Sequence, residues 1–507
     1  MVTFSVKFMP DDKVVEVEEG TRISEAAVMA GAKMSFPCGG RGRCGKCMVI
    51  IGERCGERVL ACQTAVEGDT TVIIPSGDRS KVIASTDHRK VKLDDITPLT
   101  SGYGLAIDIG TTTVALDLVD LDKGIEVYNA ADINLQRSRG EDVLSRMQYA
   151  EEGGTEELRS LVLDTINDLI DSYEGSGFSK KMITSVYVAG NTVMTHLFLG
   201  VDPSPIREAP YEPIVKKSTI TGADSGLDVN ATAKIICMPC VSSYVGGDIT
   251  SDIVYSGMDR SDGLSLLIDI GTNGEVALGN KEMMIACSSS AGPAFEGSNM
   301  TSGMLARSGA IDSVWIVDGK INYTTIGDTD PRGICGSGII DLLAQLFKSG
   351  FIDRRGNFTE KANISDGTLT IAEGVMITQD EIKNIILTKA AIYSATRSLM
   401  KNLGVEFSDI EKIHIAGGFG NFIDMESAVT IGLFPDVERA KYSYLGNASL
   451  AGAKYALLSQ KFRERIDLVF ERMTYLDLSS DPVFFDEYMS AQFLPHTDKM
   501  QFQSVDF

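Results

Sequence analysis

Clustered thiols, paired aspartates and glycine-rich turns are the features of this 507-residue chain whose types and spacing could do chemistry. Nine cysteines are unevenly placed: five lie within 38–62, and the rest are Cys237, Cys240, Cys287 and Cys335. Cys38-Gly-Gly-Arg-Gly-Arg-Cys44-Gly-Lys-Cys47 spaces three thiols as C-x5-C-x2-C, and Leu60-Ala-Cys62-Gln-Thr64 supplies a fourth. Glycines let such a loop wrap closely round an inorganic centre, while Arg41, Arg43, Lys46 and backbone N–H groups offset thiolate charge. The clustering argues for metal rather than disulfides. Structural zinc ribbons pair two Cys-x2-Cys knuckles, and only one occurs here. Cys55, in a charged turn, competes with Cys62 for the fourth position.

The carboxylates come with glycine turns. In Asp108-Ile-Gly-Thr-Thr-Thr113, Gly110 permits a tight reversal, and the N–H groups and hydroxyls of Thr111, Thr112 and Thr113 suit a phosphate. Asp108 can hold Mg2+ through water. Asp269-Ile-Gly-Thr-Asn-Gly274 repeats the device with Gly271, Thr272 and Asn273. Val186-Tyr-Val-Ala-Gly-Asn191 and Ile413-His-Ile-Ala-Gly-Gly418 form a second, looser repeat. Gly417 and Gly418 leave room for a nucleoside against bare backbone. Gly336 and Ser337 precede a helical pattern whose N-terminus could receive an anion. Asp248 and Glu296 are candidate water-orienting carboxylates, although either could instead be a cap or a surface acid. Glycine in a hairpin turn also has a purely conformational explanation, so one such turn means little and two in the same order mean much. Cys237-Met-Pro-Cys240 has redox spacing without a thioredoxin-like context; Cys287, Cys335, His196 and His414 read as packed interior residues.

The elements that must position these groups follow from periodicity and punctuation. Residues 1–75 read as a small α/β unit: strands at 2–9 and 13–18, a helix at 24–30 capped by Thr21, then strands at 48–52 and 70–74. Residues 76–102 read as a polar linker with one strand near 82–84. A first lobe spans 103–262 and a second 263–460, each with a strand running into its Asp-Ile-Gly-Thr turn and a returning strand (114–121 in the first). Helices are expected at 141–150, 156–173 and 380–402. Residues 461–507, aromatic-rich without a clear period, read as an extension packed on the ATPase part.

Composition narrows the function classes. Hydrophobic residues make up 43% and charged residues 23%, ordinary for a globular protein. The net charge of −23 leaves no uniform basic footprint for nucleic acid. No apolar run approaches bilayer length and no signal-like start is present, so a cytoplasmic location is expected, with no membrane partner.

The thiol loop resembles those of adrenodoxin-like and plant-type [2Fe–2S] ferredoxins, and residues 1–75 resemble their β-grasp fold. That resemblance implies a [2Fe–2S] cluster on Cys38, Cys44, Cys47 and Cys62. Cys62 follows apolar Val59-Leu-Ala61 as the ferredoxin pattern does, which favours it over Cys55. The duplicated turns resemble the phosphate and adenosine motifs of the acetate and sugar kinase, heat-shock chaperone and actin (ASKHA) superfamily. This implies an α/β fold of duplicated RNase H-like lobes with ATP and Mg2+ between them. Cofactor contacts are then expected at Gly110, Thr111, Thr112, Thr113, Gly271, Thr272, Asn273, Gly336, Ser337, Gly417 and Gly418, and catalytic carboxylates at Asp108, Asp269, Asp248 and Glu296.

Taken together, the chain resembles the ATP-dependent reductive activators of corrinoid proteins. The likeness rests on 38–62, 108–113, Val188-Ala-Gly-Asn-Thr-Val-Met194, 244–248, 269–274, 290–303, 333–341 and 415–420. It implies one-electron reduction of an inactive Co(II) corrinoid protein of a methyltransferase system to Co(I), coupled to ATP hydrolysis. An upstream low-potential electron donor is also implied. Such activators dimerise through the ATPase part, and 475–493 could supply the contact, unless that stretch covers its own lobe. Two alternatives stay open: a small-molecule kinase with a regulatory cluster, and an electron-transfer module that never hydrolyses ATP.

Overall fold

The computed structural model describes residues 3–9, 13–30, 32, 48–51, 57–73, 93, 96–173, 179–297, 300–418 and 422–506. Cys38, Cys44, Cys47 and Cys55, and the strand expected near 82–84, lie outside the described residues.

The N-terminal unit pairs β1 (Thr3–Met9) and β2 (Lys13–Glu18) as a hairpin, followed by α1 (Ile23–Met29), β3 (Met48–Ile51), β4 (Glu57–Leu60) and β5 (Thr70–Ile73). The sheet order is β2-β1-β5-β3-β4, with β1 and β5 parallel. Ile23, Ala26 and Ala27 of α1 bury against Val6, Phe8, Val49 and Val72, the inward residues of period-two strands. This is the expected β-grasp arrangement. The helix begins one residue earlier than the sequence suggests, and its capping residue is Arg22 rather than Thr21. Strand β4, hidden in charged residues, was not foreseen from the pattern; its pairing with β3 forms it.

The first lobe contains β6 (Tyr103–Ile109), β7 (Thr113–Asp120), β8 (Ile125–Ile133), α2 (Val143–Tyr149), α3 (Thr155–Asp171), β9 (Ile183–Gly190), α4 (Thr192–Leu199), β10 (Ser218–Thr221), α5 (Gly222–Ser225), β11 (Lys234–Cys237) and α6 (Gly247–Ser256). The second starts with β12 (Leu264–Ile270), β13 (Gly274–Gly279) and β14 (Met284–Ser289). It continues through β15 (Ala310–Val317), β16 (Lys320–Thr325), β17 (Gly333–Ile334), α7 (Gly336–Lys348), β18 (Ile364–Ser365), β19 (Thr368–Ala372), β20 (Val375–Thr378) and α8 (Gln379–Leu403). After these come β21 (Ile410–Ala416), α9 (Met425–Ile431), β22 (Tyr442–Gly446), α10 (Ala448–Leu458), α11 (Gln460–Arg472), β23 (Met473–Tyr475) and α12 (Pro482–Ala491).

The two large sheets share one plan. β6-β7-β8 and β12-β13-β14 are antiparallel meanders; β9 and β11 continue the first sheet in parallel, as β21 and β22 continue the second. The duplication read from the sequence is therefore a duplication of topology. Strands such as Leu-Ser-Leu-Leu-Ile-Asp-Ile are apolar nearly throughout because both faces are covered. Their inter-lobe faces carry small residues, Ala106, Ala115, Ala189, Ala277, Ala286 and Ala416, which let α6 and α10 pack closely between the sheets. Helix α10 thus belongs to the second lobe in sequence yet packs on β6 and β9 of the first.

The C-terminal stretch is more ordered than its aperiodic sequence suggests. It forms α11, β23 and α12; β23 joins the second sheet beside β14, and α12 packs along α8. Phe502 and Leu494 enter the second lobe's core. Lys389 of α8, fully buried, donates to the carbonyls of Phe493 and Pro495 and ties the tail down. Helix α11 buries Phe462, Ile466 and Val469 at a helical spacing, whereas β23 is formed by its pairing with β14 rather than by a local pattern.

Candidate functional site

The hairpin turns following β6 and β12 meet at one cleft between the sheets. Every sequence-predicted nucleotide or catalytic residue lines that cavity except Ser337. Ser337 is buried and donates to the Asp312 carbonyl at 2.9 Å, so it braces the start of α7 instead; Gly336 beside it does line the cleft.

The first turn closes with Gly110 N–H donating to Thr113 O, the second with Gly271 N–H donating to Asn273 O. Ile109 pairs with Val114, whereas Ile270 pairs with Gly274. The second turn is therefore one residue shorter, although the two sequences align without a gap. Across the cleft, Glu296 accepts from Thr112 Oγ1 at 2.6 Å and from Thr272 Oγ1 at 2.7 Å. One carboxylate of the second lobe thus clasps both turns. Gly417 has φ +105°, and a Cβ there would lie 2.3 Å from Ile270 O and 3.0 Å from Asp269 Oδ1. Close packing on the second turn is thus sufficient reason for this glycine, beyond any space left for a nucleoside. Gly190 holds the matching position in the first lobe, 2.9 Å from Ile109 O on the same construction.

Five acids gather beneath the turns. Asp108 and Asp269 end their strands; Asp248 and Asp252 lie one helical turn apart on α6; Glu275 opens the return strand β13. Burial is the largest influence on each and pushes its pKa up: Asp108 and Asp269 to about 7, Asp248 to about 6, Asp252 and Glu275 further. Mutual repulsion adds to the rise for Asp108, Asp269, Asp252 and Glu275, while local hydrogen bonds oppose it. Asn447 donates to Asp108 Oδ2 at 2.9 Å, Ser449 to Asp252 Oδ1 at 3.1 Å and Ser288 to Glu275 Oε1 at 3.1 Å. Asp252 hydrogen-bonds Asp269, which holds the Asp269 pKa lower than burial alone would. A buried carboxylate cluster of this kind fits a divalent cation, whose charge would return the acids to their ionised form. Among the described residues no three His, Cys, Asp or Glu side chains converge to hold a metal directly. The donor set therefore suits a cation that keeps water and phosphate ligands, as Mg2+ does.

Several residues in or behind the cleft were not singled out in the sequence. Asn447 and Asn191 follow strand-ending glycines and cap α10 and α4, and their side-chain amides reach Asp108 and, at 3.2 Å, Thr111 Oγ1. The repeated Gly-Asn at 190–191 and 446–447, each between a strand and a helix, was an available signal. Asp252 had one too, lying four residues after Asp248. Glu275 and the buried Arg146 had none.

At the N-terminal unit, Cys62 is fully buried behind β4. Gln63 Nε2 lies 3.5 Å from its sulfur, and its carbonyl accepts from Arg22 at 3.1 Å. A dry thiol with an N–H donor on sulfur fits a cluster-ligating thiolate. Cys237, Cys240, Cys287 and Cys335 are buried, and burial pushes all four thiols up, Cys240 to about 11. His196 is held by Thr192 O and Val215 N, as a packed histidine, and His414 is buried in β21.

Comparison with known proteins covers nearly the whole chain. Residues 7–67 match the model of a 2Fe-2S iron–sulfur cluster binding domain, 103–261 that of the RACo middle region, and 263–506 that of the C-terminal domain of RACo, the ASKHA domain. The corrinoid activation enzyme RamQ of Eubacterium limosum is 31% identical over 94% of this chain and 97% of its own. The chain belongs to the RACo family. A second relative in the comparison, the [Co(II) methylated amine-specific corrinoid protein] reductase of Methanosarcina barkeri, is 25% identical over 73% of this chain and 72% of its own. A solved structure of a reductive activator for corrinoid, iron–sulfur protein superposes with a TM-score of 0.78 at 36% identity, covering 99% of this chain and 100% of the other. This member of the RACo family thus joins an iron–sulfur domain to an ATP-binding ASKHA domain. No helix among the described residues is long and apolar enough to cross a membrane.

Proposed function

We propose that this protein is an ATP-dependent reductive activator that returns a corrinoid protein from inactive Co(II) to Co(I). The observation carrying this reading is full-length likeness, at 36% identity, to a solved activator of a corrinoid, iron–sulfur protein, with both the ferredoxin-like unit and the two-turn cleft included. Cys38, Cys44, Cys47 and Cys62 would hold a [2Fe–2S] centre, which supplies one electron at a time from an upstream low-potential donor. A one-electron carrier matches a one-electron change at cobalt. Where the cobalt couple lies below the cluster's, each 100 mV of gap costs about 2.3 kcal/mol per electron, a demand that nucleotide-driven binding of one partner state over another could meet.

The chain's own residues divide the nucleotide work. Thr111, Thr112, Thr272 and Asn273 bind phosphate oxygens. Asp108, Asp248 and Asp269 would hold Mg2+ through water, and the ion would supply charge to offset the phosphates. An entering phosphate competes with Glu296 for the hydroxyls of Thr112 and Thr272, and the released carboxylate is placed to orient the attacking water. Asn447, bonded to Asp108, carries the change into α10, the helix shared between the lobes. The division into cluster unit (1–75), linker (76–102), lobes (103–262 and 263–460) and C-terminal extension (461–507) lets one part carry electrons and the other consume ATP. A homodimer through 475–493 is part of the same proposal.

The deciding experiment is anaerobic spectroscopy of a cognate Co(II) corrinoid protein with this protein and a low-potential reductant. Co(I) should appear faster or further with ATP than with ADP. Equal yields would remove the ATP coupling, and stoichiometric phosphorylation of a small metabolite would establish a kinase instead.

A further inference from the structure

The three carbonyls of the first turn are each held from behind. Asn134 Nδ2 donates to Gly110 O at 2.9 Å, Arg146 Nη2 to Thr111 O at 2.5 Å, and Asn134 N–H to Thr112 O at 2.9 Å. Asn134 and Arg146 are completely buried, and neither lines the cleft, so both press on the turn from its protein side. A trans peptide is planar, and its carbonyl and the following N–H point in opposite directions. Drawing the Gly110 and Thr111 carbonyls back therefore turns the N–H groups of Thr111 and Thr112 towards the cleft.

Arg146 does this with no carboxylate bonded to it among the described residues. Its other donors go to Gly140 O at 2.9 Å, Gln136 Oε1 at 3.0 Å and Met194 Sδ at 3.1 Å, all neutral. Burial and neighbouring Arg137 push its pKa down to about 9, which still leaves it charged at neutral pH. A buried guanidinium bonded only to neutral groups keeps its field, and Glu296 in the cleft feels it alongside the larger pull of Arg137. Among the described residues no arginine stands behind the second turn in this way, and the buried acid Glu275 lies beside it.

We infer that Arg146 is a positioning residue that aims the amides of the first turn at the nucleotide's phosphates and supplies the positive field they enter. This rests on the nucleotide reading above. It makes the first turn the anion-receiving side of the cleft and the acid-rich second turn the cation-holding side.

The test uses full-length, cluster-loaded protein, with ATP and adenosine affinities measured by competition for wild type, Arg146→Met and Arg146→Lys. Arg146→Met should weaken ATP by roughly 10- to 100-fold, the size of losing a charge-assisted hydrogen bond, and leave adenosine within about twofold. Arg146→Lys keeps the charge but cannot span Gly140, Gln136 and Thr111 together; it should fold if the methionine variant does not, and should fall between. A merely structural arginine would weaken ATP and adenosine together, and that result overturns the inference. So does an Arg146→Lys protein with the wild-type ratio of the two affinities. If wild type itself does not prefer ATP to adenosine, the nucleotide reading fails as well, which separates the two failures.

Discussion

The two turns of the cleft are near copies in sequence and opposites in surroundings. Asp108-Ile-Gly-Thr and Asp269-Ile-Gly-Thr end equivalent strands of equivalent sheets, beside equivalent glycines at 190 and 417. Yet the first turn is one residue longer and is braced by a buried guanidinium, while the second is shorter and leans on buried acids. Glu296, which belongs to neither turn, joins them. A duplicated fold thus supplies two similar phosphate turns, and the packing behind each one differentiates them. A polyanion with a bound cation needs such an asymmetric cleft, because one end must receive negative charge and the other positive.

The largest expected effect comes from erasing what the turns share. Asp108→Asn and Asp269→Asn should each lower ATP turnover by at least roughly 100-fold, the usual scale for losing a preorganised electrostatic group. The cluster's visible spectrum should stay unchanged in both. Because each carboxylate is buried with a raised pKa, removing its charge should raise the melting temperature of nucleotide-free protein at pH 8 rather than lower it. Turnover assays and calorimetry at one pH check both halves; a variant that lost stability and kept turnover would refute the shared role.

A medium effect should appear in pH dependence. The folded pKa values of Asp108 and Asp269 lie above the unfolded value, at about 7. Their contribution to stability is therefore fully present below about pH 4 and is lost as pH rises through 7. Bound Mg2+ favours the ionised acids, so binding must release protons. Affinity for Mg2+ with ATP should then increase from pH 5.5 to 8 and level off above, while metal-free protein loses stability over the same range. Titration calorimetry in buffers of different ionisation enthalpy measures the protons released; no release would contradict the cation-holding role.

The smallest effect tests the packing of the two halves. Gly417→Ala places a Cβ 2.3 Å from Ile270 O at a left-handed φ, whereas Gly190→Ala meets Ile109 O at 2.9 Å. Both should destabilise, the first by about 1–3 kcal/mol and the second by less. Denaturant unfolding of the two variants should rank them in that order.

The fold was legible because its signals are local. An apolar strand, an Asp-Ile-Gly-Thr turn and a returning strand lie within a dozen residues, and their repetition 161 positions later announces two lobes. The spacing of Cys38, Cys44 and Cys47 is equally local. Asp248 and Glu296 could be named as candidates because each sits in a glycine-rich loop. Ser337 was misplaced since both orientations satisfy the same Gly-Ser-Gly pattern, and only the nearby Asp312 carbonyl selects one. In the C-terminal tail α11 does carry a helical period, with Phe462, Ile466 and Val469 buried on one face, whereas α12 carries little of one and is stabilised by packing along α8.

By itself, then, the sequence determined which chemical groups are available, in which order, and on which kind of turn. The tertiary structure alone decided which of them face one another. Asn447 lies 339 residues from the aspartate it bonds, and Glu296 lies 184 from Thr112. Arg146 lies 35 from the carbonyl it holds, on a helix whose amphipathic pattern looks like any other. The physical reason is range: turn geometry and strand pattern are set by neighbours along the chain, whereas pKa values, amide orientation and the difference between two identical motifs are set by whatever packs behind them.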